Sequence, residues 1–366
     1  MLTENDKEFG SIINRIILGE DLSYQEAKGT FNLIISNQVT EMQQGAFLSA
    51  LTAKGETPEE IAGCWEAIYE LDTIHVSIDD NTSIVENCGT GMDSFKTFNI
   101  STAASILAAA GGVKMAKHGA RGITSVCGTV DIAEILGVDV ECSAHIVARS
   151  IEKAGIGLFN GMSPEIHPNA LGRILSKIAF GSTLNIAASL ANPASPRLAV
   201  RGVYSKEMIL PVAQVMNKIG YNRALVIYGE IEGSDKGMDE ASVCGTTQCA
   251  ELKEDGSIHE YYFRPTDYNL KIYDPNMLIP SQNIESEAKT FIRIISGNQN
   301  GARRDAAVLN AGLIYYISDK SADIFEGIDK ASETINNGSA IKTLESWVSL
   351  QNRDPVKGIK RLNQLI

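Results

Sequence analysis

The chain contains the stretch Glu86-Asn87-Cys88-Gly89-Thr90-Gly91-Met92-Asp93, followed at once by Thr97-Phe98-Asn99-Ile100-Ser101-Thr102-Ala103-Ala104. Two glycines let main-chain N–H groups approach an anion with no Cβ in the way, and hydroxyls at a helix N-terminus add partial positive charge at the same point. The chemistry suggested is binding of phosphate or diphosphate. By itself the Gly-x-Gly turn is equally compatible with a plain chain reversal, since it is neither a Walker A loop nor a complete Gly-x-Gly-x-x-Gly. Four other groups point the same way. Lys117-His118-Gly119-Ala120-Arg121-Gly122 sets two cations beside flexible backbone. Gly128-Thr129-Val130-Asp131 opens another helix with a hydroxyl, and Arg303-Arg304-Asp305 opens a third. The adjacent carboxylates of Asp239-Glu240 suit Mg2+, with waters and ligand phosphates completing its octahedron. Plainer readings stand beside these: surface charge for the acids, a structural ion pair for Arg303-Arg304-Asp305, and ordinary hydrogen-bonded histidines for His118 and His167.

The elements that must position these residues follow from periodicity. Ile84 and Val85 end a buried strand, and Ser101 or Thr102 caps a helix running to Ala110. Before this, Met1 to about Leu71 reads as short amphipathic helices, with capping boxes at Ser23/Glu26 and Thr40/Gln43 and a Thr57-Pro58-Glu59-Glu60 start. After it, strands at Val113–Ala116, Gly157–Phe159 and Arg223–Tyr228 alternate with helices, one of them Val130–Leu136. Cys249–Leu252 and His259–Phe263 form a hairpin around Glu254-Asp255-Gly256. Helices at Glu285–Ser296, Asp305–Ile317, Ile324–Ile335 and Ile341–Ser349 close the chain, and Arg353–Ile366 reads as a solvated extension. The fold class is α/β: a small all-helical N-terminal domain over residues 1–76, completed by about 163–196, plus a larger α/β domain over 77–366 with a mostly parallel sheet.

A formal net charge of -13 over 366 residues argues against a nucleic-acid partner. It also means that a phosphorylated ligand needs a divalent cation and a few well-placed basic groups. No apolar run approaches the roughly 20 residues that span a bilayer, so no membrane partner is expected, and the acidic, polar start points to the cytoplasm. Six cysteines without paired Cys-x-x-Cys spacing read as reduced thiols.

Taken in order, these motifs resemble the anthranilate phosphoribosyltransferase family over nearly the whole chain. The matching segments are Lys54 to Ala62, Gly89 to Asp93, Phe98 to Thr102, Lys117-His118-Gly119, Asn192-Pro193-Ala194, Gly202 to Ser205, Gly237 to Glu240, and Arg304-Asp305 with Leu309-Asn310-Ala311. The resemblance implies a homodimer formed through the helical domain, binding Mg2+ and 5-phosphoribosyl 1-diphosphate between its domains. Gly89, Thr90, Gly91 and Asp93 would cradle diphosphate, while Thr97, Asn99, Ser101, Thr102, Lys117 and Ser125 would complete the donor site. Ser101, Asp239 and Glu240 would hold the metal. The acceptor, an aromatic amine with anthranilate as default, would meet His118, Gly119, Ala120, His167, Arg173 and Gly181. Diphosphate is displaced from ribose C1 directly, so no protein nucleophile is expected.

The chain departs from the family pattern at three points. Met92 stands where the glycine loop has a third glycine, Ala120 replaces an acceptor-facing asparagine, and Gly181 occupies the place of an arginine that grips the acceptor's carboxylate. Two lost polar contacts weaken acceptor recognition by about 2–4 kcal/mol. Anthranilate is then a poor substrate unless another cation compensates, and Arg173, nearby in sequence on a helix, is the candidate. Arg121-Gly122-Ile123 with Gly128 to Asp131 is similar to the signature of pyrimidine nucleoside phosphorylases, which gives an alternative enzyme, and a non-catalytic binding relative is a third reading.

Overall fold

The computed structural model describes residues 4–78, 83–91, 93–122 and 127–366. The first four helices are α1 (Glu4–Ile17), α2 (Tyr24–Ile35), α3 (Glu41–Lys54) and α4 (Pro58–Asp72). The three N-terminal signals act as expected: Ser23, Thr40 and Thr57 each cap a helix in a reciprocal box with Glu26, Gln43 and Glu60. Each box satisfies main-chain donors that the helix itself cannot.

The chain then alternates: β1 (Ile84–Cys88), α5 (Ile100–Ala110), β2 (Lys114–Gly119), α6 (Thr129–Ile135), α7 (Ala144–Ala154) and β3 (Ile156–Asn160). Next come α8 (Leu171–Ile178), α9 (Thr183–Ala188), β4 (Leu198–Gly202), α10 (Ile209–Lys218) and β5 (Arg223–Glu230). The short β6 (Gly237–Met238) precedes the hairpin of β7 (Thr247–Leu252) and β8 (Ile258–Phe263). Helices α11 (Ile284–Ile295), α12 (Ala302–Ile317), α13 (Ile324–Asn336), α14 (Ser339–Leu350) and α15 (Pro355–Asn363) follow.

The eight strands form one sheet in the order β3-β2-β1-β4-β5-β7-β8, with β6 on β5. Pairing from β3 to β5 is parallel, and β6, β7 and β8 are antiparallel. Alternate residues of each strand serve opposite faces. Val200, Leu225 and Ile227 join α5 and α11–α14 in one core, whereas Ala199, Ala224 and Val226 pack with α10 on the other. The helical unit has its own core, in which Leu171 and Ile174 of α8 and Leu184 and Ala187 of α9 lie with residues of α1–α4. Asp72, fully buried at the end of α4, ties this return: its carboxylate accepts the N–H groups of Asn169, Ala170 and Leu171 at 2.5, 3.0 and 2.8 Å, capping α8 from another helix.

Two expectations need correction. The helix after the glycine loop starts at Ile100 with Asn99 as its cap, earlier than Ser101. The C-terminal stretch is not a solvated extension: Leu362 of α15 is fully buried, and the Gln351 side chain bonds both the N–H and the carbonyl of Leu158 at 2.8 Å, finishing the edge of β3. The basic side chains Arg353, Lys357, Lys360 and Arg361 mask the amphipathic period of that segment.

Helices α2 and α4 meet at Gly63, where a Cβ would lie 2.7 Å from the Tyr24 carbonyl and 2.8 Å from the Lys28 nitrogen. Gly63→Ala should therefore cost about 1–3 kcal/mol. Gly29, exposed within α2 with open space around it, is the control, and Gly29→Ala should gain roughly 0.5–1 kcal/mol. Urea unfolding of both variants, followed by far-UV circular dichroism, checks the sign of each.

Candidate active site

In the sheet β1 has β2 on one side and β4 on the other, and the chain runs outward from it in both directions. Such a reversal of strand order opens a crevice at the carboxyl ends of parallel strands. The glycine loop leaves β1 there, and the turn holding Asp239 and Glu240 folds against it. A Cβ on Gly89 would sit 2.3 Å from Asp239 Oδ2, so only glycine allows this approach. Gly91 N–H donates to the same oxygen at 2.7 Å, and the Thr90 hydroxyl lies 3.5 Å from it.

Asp93, Asp239 and Glu240 each offer an oxygen within 4.8 Å of the others, and all three are buried. This is the one such group among the described residues. Burial, then the charge of Asp239, pushes the Asp93 carboxyl up to about 7. Burial, then Asp239 and Asp93, pushes Glu240 well above the usual carboxylate range. The Ser101 hydroxyl donates to Glu240 Oε1 at 3.1 Å, while Glu240 Oε2 is buried with no partner. Lys96 bonds Asp93 at 2.9 Å and the Gly91 carbonyl at 3.1 Å, a single cation for three acids. Hard oxygen donors, excess negative charge and an orphaned carboxylate oxygen together fit a divalent cation such as Mg2+. The sequence places Asp93 with the diphosphate loop, whereas the structure puts its carboxylate in the acidic cluster.

Ser101 and Thr102 stand in the first turn of α5, and the buried Thr102 hydroxyl is unpartnered. Asn99 donates through Nδ2 to the Cys127 carbonyl at 3.2 Å, joining this turn to the start of α6, and the Thr97 hydroxyl bonds the Phe98 carbonyl at 3.0 Å. Lys117 differs from a free phosphate ligand. Its ammonium is buried on the Asn87 carbonyl at 2.9 Å, the Ser105 hydroxyl at 3.3 Å and the Ser101 carbonyl at 3.5 Å, and burial lowers its pKa to about 8. It binds β1 to α5 and adds positive field from beneath. Arg121 is likewise committed, to Asp131, Glu134 and Glu141, and Arg303 to Glu287. Arg304 reaches Asn336, and Asp305 accepts from the Tyr273 hydroxyl at 2.7 Å. Within the Arg303-Arg304-Asp305 motif Arg303 makes a structural ion pair, with Glu287, while Arg304 and Asp305 make neutral hydrogen bonds. Met92 and Ser125 lie outside the described residues, as does Ile123 of the phosphorylase-like signature.

His118 at the end of β2 and His167 are both buried, with Nε2 atoms 3.2 Å apart. His167 Nδ1–H donates to the Asp72 carbonyl at 2.7 Å, so the neutral pair is completed by His118 Nε2–H donating to His167. Gly119 is half-buried, and Ala120 and Gly181 are exposed. Arg173 does not fill the role of a compensating cation. Its guanidinium bonds Gln44 Oε1 and the Ile34 carbonyl, both at 3.0 Å, because α8 packs its inner face onto α2 and α3.

Three groups escaped sequence reading. Asp72 left no local signal, because its partners lie about a hundred positions away. Glu86, buried behind the glycine loop, accepts from Asn192 at 2.9 Å and the Tyr221 hydroxyl at 2.8 Å, and Asn192 also holds the Ala116 carbonyl at 2.9 Å. Arg201 lies buried in β4 with its Nε unpartnered. A glutamate and an arginine inside otherwise apolar strands were the available signal.

The helical bundle, the α/β unit and the acidic crevice are those of a glycosyl transferase of two-part design. Residues 10–71 match the family described as "Glycosyl transferase family, helical bundle domain", and residues 81–341 match "Glycosyl transferase family, a/b domain". An anthranilate phosphoribosyltransferase of Methanocorpusculum labreanum is 35% identical over 92% of this chain and 96% of its own length. That of Methanothermobacter marburgensis is 33% identical over 93% and 98%. The crystal structure of the Thermus thermophilus anthranilate phosphoribosyltransferase superposes with a TM-score of 0.83 at 30% identity, covering 93% of this chain and 98% of that one. The chain belongs to the anthranilate phosphoribosyltransferase family. A Saccharomyces cerevisiae member in complex with PRPP and Mg, 23% identical over 94% of this chain and 98% of its own, shares the fold with a TM-score of 0.82.

Burial, then the neighbouring His167, lowers the pKa of His118 from its ordinary 6.5 to about 3, and burial also lowers that of His167. The unfolded chain takes up protons below pH 6.5 that the folded chain excludes. The stability due to these neutral imidazoles is therefore complete above pH 6.5 and is lost progressively as pH falls towards 3. His118→Asn should flatten the fall of melting temperature between pH 7 and pH 4, measured by calorimetry against wild type.

Proposed function

We propose that this chain transfers the phosphoribosyl group of 5-phosphoribosyl 1-diphosphate to anthranilate in a Mg2+-dependent reaction of tryptophan biosynthesis. The observation that carries the reading is the buried acidic cluster beside the glycine loop, with one Glu240 oxygen left unpartnered. It is supported by the names of the curated relatives and by the Mg and PRPP bound to the yeast protein. Asp93, Asp239, Glu240 and Ser101 would hold the metal. When bound, Mg2+ neutralises charge on the departing diphosphate. The first turn of α5, with the orphaned Thr102 hydroxyl and the buried Lys117 beneath it, offers donors and positive potential to a phosphate.

The reaction breaks the bond from ribose C1 to the diphosphate oxygen, forms a bond from C1 to the amine nitrogen, and releases a proton from that nitrogen. The residues contribute alignment and charge stabilisation and form no covalent intermediate. The acceptor would lie towards His118, Gly119, Ala120, His167 and Gly181. Arg173 is engaged with Gln44 and the Ile34 carbonyl in the bundle, so with Ala120 and Gly181 in place anthranilate would be held weakly, while 4-fluoroanthranilate in a yeast structure supports the acceptor class. The helical unit, 1–76 with the return through 163–196, and the α/β unit of 77–366 would close on the two substrates. No helix among the described residues is long and apolar enough to cross a membrane, and the cytoplasm is the proposed setting. The exposed Ile17, Leu18 and Met42 support pairing of two copies through the helical unit.

Calorimetry with the donor and Mg2+ tests the reading. Wild type should bind the pair, and Asp239→Asn/Glu240→Gln should bind at least tenfold more weakly with no remaining Mg2+ dependence. Unchanged affinity in that variant overturns the metal assignment. Protection against thermal unfolding by phosphate with a nucleoside, and not by the activated ribose diphosphate, favours the phosphorylase instead.

The glycine loop provides a separate check. Gly89→Ala forces a methyl against Asp239 and should raise the KM for the donor at least tenfold while leaving the KM for anthranilate within about twofold, as read from initial rates of diphosphate release.

A further inference from the structure

Phe98, the residue before the cap of α5, is 1% exposed. Its ring lies 5.2 Å beneath the Arg303 guanidinium of α12, and its N–H donates to the Leu278 carbonyl at 2.9 Å. The same guanidinium holds the carbonyls on either side of that residue: Nε donates to Met277 at 3.3 Å, and a terminal nitrogen donates to Ile279. Its other terminal nitrogen forks onto Glu287 of α11 at 3.1 and 3.3 Å, and Glu287 also accepts the Ser281 N–H at 2.5 Å. The Glu287 side chain is fully buried and that of Arg303 is 10% exposed. One cation thus fixes the segment 277–281, the ring of Phe98 and, through Leu278, the Phe98 main chain.

The backbone just after Phe98 turns tightly. Asn99 has φ -70 and ψ 67, and the Ile100 N–H bonds the Phe98 carbonyl at 2.6 Å, which is an inverse γ-turn. This turn sets the entry angle of α5, and hence where the hydroxyls of Ser101 and Thr102 and the first free N–H groups point. Ser101 lies one turn of chain beyond Phe98, too close for slack to be absorbed.

We propose that Arg303, held by Glu287, is a positioning residue for the phosphoribosyl donor: it clamps Phe98 so that the N-terminus of α5 is pre-aimed at the donor's phosphate. This rests on the proposed transferase reaction, in which the donor is taken at that helix terminus. Arg303 touches no substrate, and its contribution is made through preorganisation.

The test separates clamping from simple stability. Arg303→Met alone leaves Glu287 buried without its partner and should lower the melting temperature. In Arg303→Met/Glu287→Gln the uncompensated charge is gone, so the melting temperature should return to within a few degrees of wild type. The Kd and KM for the Mg2+ complex of the donor should stay raised about tenfold, with kcat at saturating donor within about twofold. Phe98→Leu, with the ion pair intact, should raise the donor constants in the same way. Hydrogen exchange should speed up at the amides of residues 98–102 in the double variant and remain unchanged in α13. A double variant that regains both melting temperature and donor affinity, with wild-type exchange at those amides, makes the pair structural only and overturns the proposal. Wild type that fails to bind the donor overturns the transferase reading and this inference with it, whereas a wild type that binds and a double variant that binds equally well overturn the clamp alone.

Discussion

Three carboxylates cannot be buried within 4.8 Å of one another unless something offsets their charge. The crevice is arranged around that constraint. Gly91 and Ser101 give hydrogen bonds to Asp239 and Glu240, and Lys96 gives one to Asp93. The missing side chain of Gly89 brings the loop into contact with Asp239. These contacts cover part of the charge and leave one oxygen of Glu240 bare. The acidic protein therefore concentrates its need for a cation at one point, and a phosphorylated ligand carrying a divalent ion meets attraction where the net charge alone would repel it.

The positive side of the site is built differently. Its cations are withdrawn: Lys117 lies under the loop, Arg121 faces three acids, and Arg303 is spent on Glu287 and Phe98. The donors left over are main-chain N–H groups in the first turn of α5 and the buried, unpartnered Thr102 hydroxyl. Such groups hold their orientation because the helix fixes them, whereas a free lysine would have to be ordered on binding. Around His118 and His167 the site is less charged still. The histidine pair is kept neutral by burial, and Arg173 of α8 belongs to the bundle.

Much of this was legible from local patterns. Caps and boxes marked helix starts, because the partners are three residues apart, and alternating runs marked the parallel strands. The Gly-x-Gly turn, the hydroxyls after it and the Asp239-Glu240 pair announced their chemistry by residue type. What could not be read was which long side chains face inward. Lys117, Arg173 and Arg303 look identical to free cations in sequence, and only packing at a distance decides otherwise. Asp93 joined the acids because the loop folds back on a turn nearly 150 positions later. The helix of residues 355–363 was misread because its basic residues all lie on the outer side of a face that buries only Gly358 and Leu362.

The amide of Gln351 imitates a neighbouring strand: it offers Leu158 an acceptor and a donor at the spacing a ladder would, across 193 positions of chain. Until the chain has emerged from the ribosome through residue 351, the outer edge of β3 has no such mate. An unpaired strand border is a template for another chain, and this polar plug closes it with a side chain from far along the sequence.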